Sequence, residues 1–272
     1  MRFFSLMLML FVAYGVSSAR AADELPIFDA HMHYSHDAWS VVPPHEVVEI
    51  LKKAGIKRAM VSSSNNEGTK MLQDVAPGVI VPELRPYRSR GEISTWAKDP
   101  TLIPYLEDLL SKRRYVAIGE FHIYGADADL PNVRRVVELA KQYGLFLHSH
   151  SDADAVTRHF QQDPNAKVLW AHSGFDRPEK VREMLRRYPT LWCDLAFLTA
   201  HVSNGKVAPG WRELFLEFPD RFVLGSDTFT PERWHYVIEH ARWARQWLSD
   251  LPPEVARKIA YENGDRLFGG AP

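Results

Sequence analysis

The sequence predicts a single-domain α/β protein, a (β/α)8 TIM barrel. Three observations carry that expectation. Short apolar runs alternate with helical patterns along the chain. The runs are continuously apolar, as in parallel strands covered on both faces. Eight such units within about 250 residues match the usual size of a closed barrel. A doubly wound open sheet is the rival arrangement. No Gly-x-Gly-x-x-Gly or Gly-x-x-x-x-Gly-Lys follows an early strand, which removes its commonest nucleotide-binding forms.

The N-terminus comes first and reads as a targeting signal. Met1-Arg2 is positive, Phe3 to Val12 is apolar except for Ser5, and Ala19-Arg20-Ala21 is an A-x-A cleavage pattern. The apolar run is shorter than the roughly 18 residues of a spanning helix. The expectation is a signal peptide over 1–21 and a barrel over 22–272. A bacterial signal of this kind implies a periplasmic or secreted protein, with no stable membrane insertion after cleavage.

The predicted strands are Pro26–Ala30, Lys57–Val61, Val79–Leu84, Tyr115–Gly119, Leu145–His148, Lys167–His172, Leu191–Leu195 and Phe222–Gly225. Between them apolar residues recur at i, i+3, i+4 and i+7: Val47, Ile50, Leu51, Ala54; then Val133, Val136, Val137, Ala140; then Val181, Met184, Leu185, Tyr188. The last long helix is expected to start at Thr230-Pro231-Glu232 and to bury Trp234, Val237, Ile238 and Ala241.

Composition narrows the function. With 46% hydrophobic residues in 272 the chain can bury a sizeable core, and a net charge of −1 offers no basic excess to release counterions from a polyphosphate. A dedicated nucleic-acid binder is excluded on that ground. Cys193 is the only cysteine, so no intramolecular disulfide can form, and no Asn-x-Ser/Thr acceptor occurs. Both fit a bacterial periplasm. Cys193 itself reads as a small buried hydrophobe.

The chemistry gathers at strand ends. Phe28-Asp29-Ala30-His31-Met32-His33 places two histidines at i and i+2, on one side of a strand. Glu120 and His122 follow the fourth strand, His148 and His150 the fifth, His172 the sixth and Asp227 the eighth. In a barrel these positions open onto the C-terminal face. Four or five nitrogen and oxygen ligands meeting there suit Zn²⁺ or another divalent first-row cation. Buried unpaired, they would be costly.

The order His-x-His, Glu, His, His, Asp on strands one, four, five, six and eight resembles the amidohydrolase superfamily. It is most similar to the amidohydrolase-2 branch of metal-dependent hydrolases, with some likeness to TatD-type hydrolases. The segment Ile259 to Gly269 resembles that branch's closing helix. The resemblance implies that His31 and His33 bind the more buried metal with Asp227 as a further ligand. It implies His148 as the fifth-strand ligand, with His150 as the fallback. His172 would bind a second metal or orient the catalytic water, and Glu120 could bridge two metals where many relatives carry a carboxylated lysine. One or two Zn²⁺ per chain are thus implied. So is hydrolysis of an amide, lactone, ester or phosphoester, with Asp227 taking the proton from the attacking water. Relatives in the branch decarboxylate aromatic or dienoic acids, and a non-catalytic metal-binding barrel is the third reading.

Substrate contacts are expected from Arg85, nearest the third strand's end among Arg85, Arg88 and Arg90, gripping a carboxylate or phosphate. His122 and His150 are expected to face the same cavity. Trp39 and Trp96 fall in loops that could form an apolar wall.

Overall fold

The computed structural model describes residues 25–197 and 199–270. The expected signal segment lies outside them. Eight parallel strands form one sheet: β1 (Ile27–His33), β2 (Ile56–Ser62), β3 (Ile80–Leu84), β4 (Ala117–His122), β5 (Phe146–His150), β6 (Lys167–Trp170), β7 (Leu191–Asp194) and, after a two-stranded hairpin of β8 (Val202–Ser203) and β9 (Lys206–Val207), β10 (Phe222–Val223). They run in sequence order, and β1 meets the last strand through a parallel bridge between Asp29 and Leu224. The Ala30 N–H donates to the Leu224 carbonyl at 2.8 Å. This is a nearly closed barrel in a single domain.

Between the strands lie α1 (Pro44–Lys53), α2 (Glu67–Val75), α3 (Leu102–Lys112), α4 (Pro131–Tyr143), α5 (Ala153–Gln162), α6 (Pro178–Arg187) and α7 (Pro209–Glu217). Local chemistry sets their ends. Pro131 opens α4 where a missing N–H costs nothing, and Gly144 closes it with φ +69°. The Asp152 carboxylate caps α5 by accepting from the Ala155 N–H at 2.8 Å. The buried faces of α1, α4 and α6 are those the periodicity predicts.

The last long helix starts later than expected. Pro231–Tyr236 forms a 3₁₀ stretch, and α8 (Val237–Leu248) follows. Trp234, Val237 and Ala241 are nevertheless buried. The chain ends in α9 (Pro253–Arg257), a π turn and α10 (Asn263–Phe268), which plug the N-terminal end of the barrel. There Phe268 packs with Phe28 and Phe146 over a layer of Met60, Val81, Ala117 and Val223. No helix of the described residues is long and apolar enough to cross a membrane.

Strand ends depart from expectation where they bear on the site. β4 extends to His122 and β5 to His150, so Glu120, His122 and His150 lie within the sheet. β6 stops at Trp170, because His172, Ser173 and Gly174 turn left-handed with φ of 54°, 51° and 67°. Asp194 holds that turn: its Oδ1 accepts from the His172 N–H at 3.0 Å, and the Ser173 hydroxyl donates to its carbonyl at 2.9 Å.

Candidate active site

The site has two polar layers at the C-terminal mouth. The deeper layer is built on Asp194, fully buried at the end of β7. Its Oδ2 lies 3.2 Å from His31 Nδ1 and 3.0 Å from His148 Nε2. On the far side, His148 Nδ1 lies 2.8 Å from Glu83 Oε1 on β3. Both ring nitrogens of His148 thus donate to carboxylates. Burial alone would lower its pKa, but Glu83 and Asp194 outweigh that and push it up to about 9. The same imidazoles hold the Asp194 carboxyl well below the usual range despite its burial.

The upper layer converges on one point. His31 spends its Nδ1–H on Asp194, and His33 Nδ1 lies 2.9 Å from the Ser62 hydroxyl. Their Nε2 atoms therefore face inward, 3.1 Å apart. Asp227 Oδ1 is 3.7 Å from the first and 3.4 Å from the second. Glu120 brings Oε1 to 3.6 Å from His31 Nε2 and Oε2 to 3.3 Å from His33 Nε2. Beside this set, Glu120 Oε1 also meets His150 Nδ1 at 2.7 Å and His172 Nε2 at 3.2 Å. Burial raises the Glu120 pKa, but the facing His31, His150 and His172 hold it well below the usual carboxylate range. Asp227 is lowered likewise, against burial, by His33 and His31.

The donor set fits a metal for a specific reason. His172 Nδ1 donates to the Ala196 carbonyl at 2.7 Å, so its Nε2 is the nitrogen that faces a carboxylate oxygen, at 3.2 Å. His31 has carboxylates on both sides, Asp194 at Nδ1 and Glu120 at Nε2, and despite burial they push its pKa well above the ordinary value. Acceptor facing acceptor is repulsive unless a cation or a proton lies between them. Three groups bring their ligand atoms within 4.8 Å of one another: His31, His33 and Asp227; Glu120, His150 and His172; and His31, His172 and Asp194. Carboxylate or carbonyl partners on the outer ring nitrogens are the usual support of metal-bound histidines.

Backbone strain marks the same place. Asp227 has φ +53°, a conformation costly for a residue with a side chain. It is held by its N–H on the His31 carbonyl at 2.8 Å and by Arg233, whose guanidinium donates to the carbonyls of Asp227 and Ser226.

A cavity of about 490 Å³ opens above. Glu120, His150, His172 and Asp227 form its floor, Arg85, Tyr87, Arg90 and His122 one wall, and Phe175, Phe197 and Phe229 the other. Phe175 stacks on the His172 ring at 4.6 Å, and the Arg233 guanidinium lies over Phe197 and Phe229 at 4.8 and 5.1 Å. Burial lowers the His122 pKa to about 3, leaving that wall's imidazole neutral. A wider cleft of about 800 Å³ lies at the opposite end of the barrel, and no histidine, cysteine or carboxylate lines it.

Not every expected residue converges. His148, expected as the fifth-strand ligand, stands outside the converging groups, with its nitrogens against Asp194 and Glu83. The fallback His150, two residues on along the same strand face, belongs to one of them. Arg85 lines the cavity but first holds Glu120, donating to its Oε2 at 3.1 Å and its carbonyl at 3.2 Å. Arg88 is tied to Glu92, Asp99 and Thr101, away from the cavity. Trp39 donates to the Tyr34 carbonyl and Trp96 is buried behind His122, so phenylalanines and not tryptophans make the apolar wall. Cys193 is buried, its thiol pushed up by that burial, as a small apolar residue would be. Asp194 and Glu83 were not expected. An acid closing a strand and another inside the apolar run Val79–Leu84 were the only signals.

A family model of amidohydrolases matches residues 78–270. The chain belongs to the amidohydrolase family. Family membership brings metal-dependent hydrolase-type chemistry with a small-molecule substrate. Among solved structures, an uncharacterised TIM-barrel protein from Bordetella bronchiseptica superposes with a TM-score of 0.62 at 15% identity, covering 90% of this chain and 99% of that one. A probable 2-pyrone-4,6-dicarboxylic acid hydrolase from Acinetobacter baumannii, with citric acid bound, gives 0.54 at 12% identity, covering 89% and 99%. An adenosine deaminase from Xanthomonas campestris with bound zinc gives 0.54 at 12%, covering 90% and 66%. At these identities the likeness speaks for the fold. No curated protein matches the chain.

Proposed function

We propose that this amidohydrolase is an exported, zinc-dependent hydrolase that cleaves an amide, lactone, ester or phosphoester bond of a small molecule. One observation carries the reading: the inward Nε2 atoms of His31 and His33, meeting the carboxylates of Glu120 and Asp227 within 3.7 Å. The mixed nitrogen and oxygen donors suit Zn²⁺, and the zinc-bearing adenosine deaminase shares the fold. Export rests on the N-terminal pattern of Met1 to Ala21.

His31, His33 and Asp227 would hold one ion, and Glu120, His150 and His172 a second. When bound, such an ion supplies an activated water and polarises the scissile bond. The chain's own residues do the rest. Asp227, held ionised beside His33, accepts the proton of the attacking water and returns it to the leaving group. Arg85 fixes Glu120 and faces an anionic group of the substrate. The three phenylalanines exclude water from its apolar part.

The test is elemental analysis of the full chain purified without chelator, with an activity screen over lactones, amides, phosphoesters and aromatic acids. Turnover should vanish on metal removal and return with Zn²⁺. Asp227→Asn should lower kcat by about 10²–10⁴-fold while the histidines retain much of the metal. Full activity in that variant, metal-independent turnover, or carbon dioxide release without consumption of water would overturn the reading.

A further inference from the structure

The cavity wall formed by β3 and β4 carries one imidazole that the proposed chemistry does not use. His122 stands on β4, two residues beyond Glu120, and lines the cavity. Its ring is boxed in. It stacks on His150 with centroids 4.0 Å apart and planes 26° from parallel. Its backbone is pinned from both sides: the Trp96 indole N–H donates to its carbonyl at 2.9 Å, and its N–H donates to the Tyr87 hydroxyl at 2.6 Å. The same hydroxyl lies 3.0 Å from His122 Nδ1.

That second contact decides which ring nitrogen carries the proton. Tyr87 is 1% exposed, and its hydroxyl already accepts the His122 backbone N–H. A buried hydroxyl left without an acceptor for its own proton is costly. Among the described residues, His122 Nδ1 is the only acceptor within reach. Tyr87 therefore donates to Nδ1, which leaves Nε2 as the nitrogen that carries the ring proton. Nε2 has no protein partner among the described residues, and the residue lines the cavity.

We propose that Tyr87 is a positioning residue that locks His122 as an Nε2–H donor, aimed at an acceptor oxygen of the substrate. The inference rests on the hydrolase reading for its substrate, but not for its first test. Together with Arg85 it makes one wall of the cavity a donor wall, facing the apolar wall of Phe175, Phe197 and Phe229. The substrate class this selects has a carbonyl or carboxylate at one end and a flat apolar body at the other. A substrate with only donor groups at that end is rejected, because it would face N–H with N–H.

The experiment is nitrogen NMR of the full-length protein with its histidines labelled, which distinguishes protonated from unprotonated ring nitrogens. In the native protein His122 should show Nε2 protonated and Nδ1 unprotonated. Tyr87→Phe should shift it toward a mixture of the two tautomers. His122→Gln, which keeps an N–H near the Nε2 position, identifies the signal and guards against failure of Tyr87→Phe to fold. A proton on Nδ1 in the native protein overturns the proposal, as does a tautomer unchanged in Tyr87→Phe. Neither result touches the hydrolase reading, which falls only if metal-dependent turnover is absent.

Discussion

Asp194 joins three histidines without belonging to the upper layer of the site. Its two oxygens accept from the rings of His31 and His148 and from the backbone N–H groups of His172 and Ala196. An asparagine would keep one carbonyl oxygen but turn an amide N–H toward groups that already donate. His31 would lose the partner that fixes its tautomer. Asp194→Asn is therefore expected to weaken Zn²⁺ binding by about 10–100-fold with the fold intact, as read by chelator competition beside circular dichroism. Undiminished affinity would show that His31 is oriented without it. Residues like this explain how far the site is legible in sequence. His31, His33, Glu120 and Asp227 announce themselves, since histidines and acids at the ends of apolar runs have few other uses. Asp194 and Glu83 do not. Their role comes from partners 163 and 65 residues away, and nothing local separates an inward acid from a solvated one.

Between elements, two glycines mark where backbones must touch, and they separate the site from the scaffold. Gly225 follows β10, and a Cβ there would lie 2.6 Å from the His31 Cβ and 2.8 Å from the Ala196 Cβ. Neither atom can rotate away, so the seam between β1 and the last strand must open. Gly264, in α10, would place a Cβ 2.5 Å from the Phe28 ring at the opposite end. Both Gly→Ala changes should cost about 1–3 kcal/mol of stability, read from denaturant midpoints. Only Gly225→Ala should also weaken metal binding, because only it displaces His31. Equal metal affinity in the two variants would refute that division. Strand ends at the mouth fall a few residues from where periodicity places them. Polar side chains at the mouth continue the ladders of β4 and β5, while the left-handed turn after Trp170 cuts β6 short. Hydrophobic periodicity registers neither event.

For the whole molecule, eight apolar runs spaced by helices are enough to indicate a barrel, but closure is a contact between residues 195 apart, Asp29 and Leu224, which no count of units contains. The folded chain also commits buried groups to one charge state, and stability must then depend on pH. His159 on α5 is fully buried, with Nε2 3.2 Å from the Ser149 hydroxyl and its ring edge-on to Phe121. Burial lowers its pKa to about 4 from the ordinary 6.5. Below pH 6.5 the unfolded chain binds a proton that the folded chain refuses. Stability from this residue is therefore intact above pH 6.5 and is lost progressively as the pH falls toward 4. The loss is on the order of 3 kcal/mol. His159→Leu removes the titrating group, so its urea-unfolding free energy should fall less steeply than that of the native protein between pH 7 and 4. Every other ionisable group is common to the two chains, so the difference in slope isolates the imidazole. Parallel curves would mean that His159 takes up its proton inside the folded barrel, with the helix shifting to let water reach it.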